Sequence, residues 1–237
     1  MSRKITFVSA TKNEIEPLIQ FLKTNAEQQS FQTYVLHGLQ IDILISGIGI
    51  LQTTYTLMDY ISHRHPDLWI QAGVGGAFDP SLEIGKVYEV TSEMLSGFGA
   101  ENHDGRNMDQ FELGWSDPNA FPYAGGRLIC PYLFSQELPG ATGMTSFHAH
   151  GHPESIEQLN QQPHAQIENM EGAAFFYISL IRKIPFVCLR SISNYVVKRD
   201  KASWKMVEAI TALNQTIIKN LEASEYNPDK LFRPDHR

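Results

Sequence analysis

Cysteine and positive charge are both scarce in this sequence. Two of the 237 residues are cysteine, Cys130 and Cys188, and neither lies in a CxxC motif or at zinc-ligand spacing from a histidine. We therefore expect no disulfide framework and no metal centre, and the cysteine usage fits a reducing cytoplasm. Lysine and arginine number 19 against 26 aspartates and glutamates, which gives a net charge of -7. This balance argues against a nucleic-acid-binding protein, which needs a basic face.

Several signature segments are missing as well. The N-terminal stretch MSRKITFVSATKNEIEP has too short an apolar run for a signal peptide, and no window reaches the length of a membrane span. We expect a soluble, cytoplasmic protein without a membrane partner. The chain has no GxGxxG dinucleotide fingerprint, no Gly-Lys-Ser/Thr of a Walker loop and no GxSxG nucleophile elbow. Dinucleotide chemistry, P-loop hydrolysis and covalent acyl transfer are therefore poorly supported.

Apolar runs with strand character alternate with segments of helical periodicity, which predicts an α/β fold with a largely parallel or mixed sheet. A chain of 237 residues, 42% of them hydrophobic, can bury a large core as one domain over residues 1–237. We expect an irregular excursion over residues 97–140 and an exposed tail over residues 224–237. The predicted strands read KITFVSA, SFQTYVL, IDILIS, DLWIQ, KVYEVTSEML, GATGMTSF and IPFVCLRSISN, and the predicted helices cover residues 13–23, ILQTTYTLMDYISHR, HPESIEQLNQ, the apolar run after ENMEG and ASWKMVEAITALNQTIIKNLEA.

Chemically distinctive residues follow the predicted strands at their carboxyl ends. Open α/β sheets bind ligands in the crevice at that edge, so residues far apart in sequence can converge there on one site. The candidates are Glu14, Gly47 and Gly49, Gly73, Gly75 and Gly76, Phe147 and His148, Glu171, and Asn194.

Each candidate also has a plainer interpretation. The glycines of SGIG and AGVGGAF, interpreted as strand-to-helix turns, can serve turn geometry alone. Glu14 can complement a helix dipole, and Asn169 can be an N-cap with Glu171 in the first turn. The helix after Glu171 is nevertheless apolar enough to be buried, and a buried carboxylate needs a partner or a function. The histidines of HAHGH have a weak metal-like spacing, without an acidic ligand.

Five stretches resemble the nucleoside phosphorylase and nucleosidase superfamily: SATKNEIEPL, SGIG, QAGVGGAF, ENMEGAAF and LRSISN. Their order and spacing are similar to those of the methylthioadenosine/adenosylhomocysteine nucleosidases over nearly the whole chain. ENMEGAAFF and RSISNYVVKRDKASWKMVEAI show a closer similarity to the futalosine hydrolases. The resemblance implies a three-layer α/β sandwich around a central twisted mixed β-sheet, a small-molecule nucleoside substrate, no cofactor, and a homo-oligomer, either a dimer or larger.

The resemblance also implies a role for each candidate residue. Glu14 corresponds to the residue that activates the attacking water. Met170 packs against the ribose, while Glu171 accepts hydrogen bonds from the ribose hydroxyls and stabilises the cationic sugar of the transition state. Asn194 contacts the purine, and the remaining base-binding positions are Phe147, His148, Ser193, Gly75 and Gly76.

Two departures from the resemblance bear on the substrate. The adenine-specific nucleosidases carry Asp at the position of Asn194, and an Asn can donate to a 6-oxo group, which favours hypoxanthine. Lys12 stands without a phosphate-binding arginine, and Val74 replaces a hydroxyl residue of phosphate-binding members, so water is the expected acceptor. We expect hydrolysis of futalosine to hypoxanthine in menaquinone biosynthesis. The alternatives are a methylthioadenosine/adenosylhomocysteine or aminofutalosine nucleosidase, a 6-oxopurine phosphorylase, and a non-catalytic nucleoside-binding protein.

Overall fold

The computed structural model describes residues 3–160, 165–223 and 233–234. The helices are α1 (Lys12–Asn25), α2 (Gly49–His63), α3 (Pro153–Asn160), α4 (Gly172–Arg182) and α5 (Met206–Ala223), with a 3₁₀ turn at Lys201–Ser203. The strands are β1 (Lys4–Ser9), β2 (Glu27–Ser30), β3 (Thr33–Leu36), β4 (Leu39–Ile45), β5 (Leu68–Ala77), β6 (Val87–Leu95), β7 (Gly99–Glu101), β8 (Asn107–Asp109), β9 (Tyr123–Ala124), β10 (Arg127–Ile129), β11 (Tyr132–Leu133), β12 (Gly140–Thr145), β13 (Ile167–Asn169), β14 (Phe186–Tyr195) and β15 (Arg233–Pro234).

Eleven strands of the described residues form one mixed sheet, in agreement with the predicted fold class. Its centre is parallel: β4, β1, β5 and β14 run side by side in the same direction. These strands are buried on both faces, which explains their nearly continuous apolar sequences. The β2–β3–β4 meander and the β9–β10 hairpin extend the sheet with antiparallel strands.

The sheet closes on itself around the carboxyl-terminal half of β5. There β5 pairs with β14 on one side and β13 on the other, β14 pairs with β6, β6 pairs with β12, and β12 pairs with β13. Five strands therefore form a closed ring, in which Gly76 of β5 pairs with Asn194 of β14 on one side and with Glu168 of the antiparallel β13 on the other.

Helices cover the two faces of the central sheet as separate hydrophobic clusters. Ile15, Leu18 and Leu22 of α1 pack with Leu213 and Ile217 of α5 on one face. On the other face, Leu57 of α2 packs with apolar side chains of α4, including Phe175 and Phe176. Helices packed on both faces of the sheet give three layers, helix, sheet and helix, as the resemblance implies. Within the described ranges, no helix is long and apolar enough to cross a membrane.

Helix α1 is held at its amino-terminal half by a buried side chain of α5. Asn214 accepts a hydrogen bond from Leu18 N (3.0 Å) and donates to the carbonyl of Glu14 (2.9 Å). Pro17 lies between these residues, and a proline weakens the helical hydrogen-bond ladder around itself. Asn214 therefore bonds to a donor and an acceptor that are four residues apart, Leu18 N and the Glu14 carbonyl, and so supports the turn of α1 that carries Glu14.

Three predicted local structures differ from those observed. The segment before α4 contains a short strand, β13, which the sequence did not reveal. Gly73, Gly75 and Gly76 lie inside β5 and not in a strand-to-helix turn, because β5 continues to Ala77. Helix α4 begins at Gly172 with Glu171 as its N-cap, two positions later than a helix capped by Asn169 with Glu171 in its first turn. Within the predicted tail 224–237, the described pair Arg233–Pro234 forms a ladder with Tyr132–Leu133, and the other tail residues lie outside the described residues.

Candidate active site

Gly73 lies where helix α1 and strand β14 approach strand β5. A Cβ atom at this position would lie 3.0 Å from Glu14 Oε1 and 3.3 Å from Arg190 Nη1. Contacts this short leave little room for any side chain, so glycine allows both charged groups to lie against the strand. The Gly73 position therefore serves close approach of functional groups and not turn geometry.

Glu14 is buried and shares its carboxylate between two elements. Its Oε2 accepts hydrogen bonds from Thr11 N (2.9 Å) and Thr11 Oγ1 (2.8 Å), and the first of these is one half of the capping box of α1. Its Oε1 accepts a hydrogen bond from Val74 N of β5 at 3.1 Å. The helix-terminus interpretation of Glu14 is thus correct for one oxygen, while the other reaches the sheet edge.

Glu171 reaches the SGIG turn across the same edge. Its Oε1 accepts a hydrogen bond from Gly49 N at 2.9 Å, and Gly49 adopts a φ of 83° that favours glycine. Burial raises the pKa of Glu171, and the nearby charge of Glu14 also raises it, while Arg190 and the Gly49 amide act in the opposite direction. The two carboxylates are therefore electrostatically coupled in one buried site.

Arg190 is a functional candidate that the sequence-based prediction missed. It is 1% exposed and lies in the middle of β14. Burial disfavours its charge, but the surrounding acidic groups outweigh that effect and raise the pKa of Arg190. They are Cys188, Glu171, Glu93 and Glu14. The signal in the sequence is one arginine within an otherwise apolar core strand, FVCLRSIS.

The entrance to α4 is built on a buried amide. Asn169 Oδ1 accepts hydrogen bonds from Glu171 N (3.0 Å) and Gly172 N (2.6 Å), which satisfies backbone donors at the start of the helix. Asn169 Nδ2 donates to Glu93 Oε2 at 2.9 Å. Glu93 is fully buried, and burial raises its pKa to about 7. A Cβ at Gly172 would lie 2.2 Å from Glu93 Oε2, so glycine here makes room for the carboxyl group.

Asn194 lies at the carboxyl end of β14, beside the glycines of β5. Its Nδ2 donates to the Tyr195 carbonyl (3.0 Å), and its Oδ1 accepts from Ser193 Oγ (2.8 Å). The Tyr195 carbonyl accepts hydrogen bonds and cannot donate them, so this contact fixes which end of the Asn194 amide carries the hydrogens. Ser193 Oγ also lies 3.2 Å from the Gly75 carbonyl, and a Cβ at Gly76 would lie 3.2 Å from Asn194 Nδ2. The structure therefore brings these four predicted base-binding positions together.

Phe147 and His148 lie on an exposed loop between β12 and α3. Phe147 lies near Gly97, and the His148 ring packs against the ring of His150 with centroids 4.4 Å apart. His150 in turn pairs through Nδ1 with the carboxylate of Glu168. Two of the HAHGH histidines, His148 and His150, thus contact each other in a loop that is held by hydrogen bonds. The part of the chain that the structure describes contains no cluster of three or more potential metal ligands.

Met170 is half-buried between Asn169 and Glu171.

An apolar groove of about 430 Å³ begins next to the contact between Glu171 and Gly49. Ile50 and Ala173 line it, and they directly follow Gly49 and Gly172. The excursion 97–140 contributes the opposite wall. The other lining residues are Thr54, Met58, Leu95, Gln110, Tyr123, Gly126, Leu128, Ala174, Tyr177, Ile178, Ile181 and Arg182.

Comparison with known proteins shows which family the chain belongs to. The family model of the Phosphorylase superfamily matches residues 4–223. Futalosine hydrolase of Streptomyces coelicolor is 28% identical over 184 residues, which cover 75% of this chain and 77% of the relative. A 5′-methylthioadenosine/S-adenosylhomocysteine nucleosidase of Maridesulfovibrio salexigens is 26% identical over 208 residues, covering 81% and 86%.

Solved structures share the fold. The futalosine hydrolase of Helicobacter pylori superposes with a TM-score of 0.74 at 17% identity, over 94% of this chain and 99% of the other. With the match of the family model to nearly the whole chain, this architecture shows that the protein belongs to the phosphorylase superfamily.

Proposed function

We propose that this enzyme is a purine nucleosidase that hydrolyses the N-glycosidic bond of futalosine and releases hypoxanthine. The observation that carries the proposal is the pair of buried carboxylates, Glu14 and Glu171, around Arg190 at one edge of the sheet. Two buried carboxylates beside a buried cation suit a reaction in which a water must lose a proton while positive charge develops on a sugar.

In the proposed mechanism, a water molecule attacks C1′ while the bond from C1′ to the purine nitrogen breaks. Glu14 accepts the proton of this water, and the departing purine takes up a proton from solvent on a ring nitrogen. Glu14 then returns its proton to solvent, so the products are the free sugar with a hydroxyl on C1′ and neutral hypoxanthine. Glu171 binds the ribose hydroxyls, and its negative charge stabilises the oxocarbenium-like sugar. Met170 packs against the sugar. Arg190 and Glu14 both approach the Gly73 position, so a buried positive charge lies near the carboxylate that we propose as the general base.

The amide of Asn194 supports a 6-oxopurine as the leaving base. Its orientation is fixed by Ser193 and the Tyr195 carbonyl, so the second Nδ2 hydrogen remains for a ligand. That hydrogen matches the 6-oxo oxygen of hypoxanthine and meets another donor in the 6-amino group of adenine. Phe147 and His148 are proposed to face the same base, with Ser193, Gly75 and Gly76 beneath it.

The surroundings of Glu14 support water over phosphate as the acceptor. Lys12 is exposed and forms an ion pair with Glu16 at 3.2 Å, while Arg190 is surrounded by carboxylates. Val74 presents only its backbone amide to Glu14. A phosphate dianion near Glu14 and Glu171 would therefore be repelled.

The proposal extends to the setting of the enzyme. We place it in the cytoplasm, in menaquinone biosynthesis, as a homo-oligomer that needs no metal or organic cofactor. The alternative with support of its own is a methylthioadenosine/adenosylhomocysteine nucleosidase, because relatives of that kind align over 81% of this chain.

A substrate panel tests the proposal directly. Futalosine, aminofutalosine, methylthioadenosine and inosine are incubated with the enzyme, with and without phosphate, and the free base is quantified. We expect the highest kcat/KM for futalosine, independent of phosphate. Preference for a 6-amino substrate would establish the alternative, and phosphate-dependent release would make the protein a phosphorylase. If the protein binds a nucleoside but releases no base, it is a nucleoside-binding protein and not an enzyme.

A further inference from the structure

Glu168 is a buried carboxylate that the mechanism above does not use. Its side chain is 6% exposed, and that of its partner His150 is 8% exposed. The carboxylate accepts hydrogen bonds from Ser146 Oγ (3.2 Å) and His150 N (3.1 Å), and it also pairs with Nδ1 of the His150 ring. These contacts join both ends of the five-residue segment 146–150 to one side chain of β13.

Three residues lie between these two ends, Phe147, His148 and Ala149, and the first two are exposed. Two further hydrogen bonds hold the start of this segment and the residue after it: Ser146 N donates to the Asn169 carbonyl (2.9 Å), and Arg199 N donates to the Gly151 carbonyl (3.0 Å). The His148 ring packs on the His150 ring, whose position is set by Glu168. Glu168 thus fixes the backbone of the segment and, through His150, the place of His148.

A contribution to folding stability does not by itself explain the buried pair of Glu168 and His150. A buried ion pair or polar pair often adds little stability compared with apolar residues of similar volume, because both groups lose their hydration. The pairing of β13 with β12 rests on backbone hydrogen bonds and does not need a carboxylate at position 168. What the Glu168 side chain adds is a defined shape for an otherwise exposed loop.

We propose that Glu168 and His150 are positioning residues for the leaving purine, because they hold Phe147 and His148 in the orientation in which this loop faces the base. This inference rests on the proposed function, which places the purine between the loop and Asn194. An aromatic side chain that stacks on a base contributes about 1–3 kcal/mol, or about fivefold to 150-fold in affinity, and it does so only when its plane is fixed correctly. The pair therefore acts on base affinity through Phe147 and His148, without touching the sugar.

Three variants separate this role from a general structural one. Glu168→Ala and His150→Ala remove the pair, while Glu168→Gln retains one acceptor oxygen for the loop. Glu154→Gln, an exposed carboxylate on α3, is the matched control. For each protein the inhibition constants of free hypoxanthine and free adenine are measured together with kcat and KM for the best nucleoside, and thermal unfolding confirms that it is folded.

We expect Glu168→Ala and His150→Ala to raise KM and the inhibition constant of the preferred free purine by the same factor, about tenfold, with a smaller change in kcat. This pattern follows because a base contact contributes alike to the ground state and the transition state. Glu168→Gln should raise KM and the inhibition constant by about twofold to tenfold, since one of the hydrogen-bonding oxygens remains. If Glu168→Ala does not fold, the increases in KM and in the inhibition constant are compared between Glu168→Gln and His150→Ala.

Two results would overturn the inference. One is an unchanged inhibition constant of the free purine in the folded variants, and the other is a loss confined to kcat. These failures differ from a failure of the proposed function, in which the wild-type protein itself would bind neither hypoxanthine nor adenine and release no base.

Discussion

Glu14 has one oxygen in the capping box of α1 and one at the sheet edge. A Glu14→Gln substitution keeps an acceptor oxygen and the size of the side chain, so the fold should persist. The variant cannot accept the proton of the attacking water, and loss of a general base costs about two to four decades in rate. We expect kcat on the best substrate to fall by that amount while the affinity for a ground-state ligand changes little.

The matched control for this prediction is Glu16→Gln, which changes a carboxylate two residues away on the same helix that pairs with Lys12. This control should retain nearly full activity. Single-turnover measurements distinguish the chemical step from product release. Near-wild-type turnover of Glu14→Gln would mean that Glu14 only caps α1.

Asn194 should determine which purine is released. In Asn194→Asp, the group that donates to a 6-oxo oxygen is lost, and a buried polar group left unpaired costs about 1–3 kcal/mol. We expect kcat/KM to fall for futalosine and to rise, relative to it, for aminofutalosine or methylthioadenosine. The relative gain should be larger at mildly acidic pH, because the introduced carboxyl can donate to N7 only when it is protonated. A ratio of 6-oxo to 6-amino kcat/KM that matches the wild type across pH would contradict this role.

At the residue scale, the sequence singled out candidate groups near strand ends and missed those inside strands. Glu14, Glu171 and Asn194 stand out because a polar residue follows each apolar run. Arg190 and Glu93 lie within strands, and their charges influence each other because the sheet closes into a ring, which pairs β14 with both β5 and β6. A sequence shows the type of each residue, but the direction of these two side chains depends on strand register and sheet closure.

At the scale of elements, the start of α4 depends on a chain of buried hydrogen bonds. Glu93 accepts from Asn169, which in turn accepts from the backbone of Glu171 and Gly172. The second carboxyl oxygen of Glu93, Oε1, has no hydrogen-bond partner among the described residues. A fully buried carboxyl in this situation favours its neutral form, which is why burial raises the pKa of Glu93 to about 7.

This raised pKa predicts how stability depends on pH. Between the ordinary value of 4.5 and about 7, the unfolded chain loses the Glu93 proton while the folded protein keeps it. Folding therefore becomes less favourable as pH rises through that window, by about 1.4 kcal/mol per unit, and the cost stays constant above it. Glu93→Gln, which cannot ionise, should gain about 3 kcal/mol relative to the wild type between pH 4.5 and 7.5.

Urea unfolding at a series of pH values measures this difference directly. Glu83→Gln, at an exposed carboxylate shortly before β6, is the matched control. A difference between Glu93→Gln and wild type that stays flat across the window would show that Glu93 is ionised in the folded protein throughout.

The long helices were predicted well, and the short strand β13 was not. Periodicity over α1, α2 and α5 identified these helices because each presents an apolar stripe over several turns. Strand β13 spans three residues, Ile167–Asn169, too few to show an alternating pattern. Gly73, Gly75 and Gly76 suggested a turn because glycine is depleted in strands, whereas here close approach of Glu14, Arg190 and Asn194 requires it.

At the scale of the whole molecule, α2 and α4 expose an apolar face beside the groove that begins at Ile50 and Ala173. Leu51 and Tyr55 of α2 are 83% and 73% exposed, and Tyr177 and Ile181 of α4 are each 42% exposed. Contiguous apolar surface of this kind is uncommon on monomers and marks interaction sites. Since the face carries few charges, a second copy of the chain is the occupant we propose.

Sedimentation velocity at micromolar concentration should therefore show the wild-type protein at twice the mass of the chain. Leu51→Glu and Tyr55→Glu each place a charge where an apolar contact is expected, and burying an unpaired carboxylate should weaken association by about two decades or more. Val207→Glu, at an exposed apolar residue on α5 across the sheet, is the matched control and should remain dimeric. If the wild type sediments as a monomer at every concentration, a second copy does not cover the groove. In that case the groove beside Gly49 and Gly172 would be open to the non-purine end of the proposed substrate.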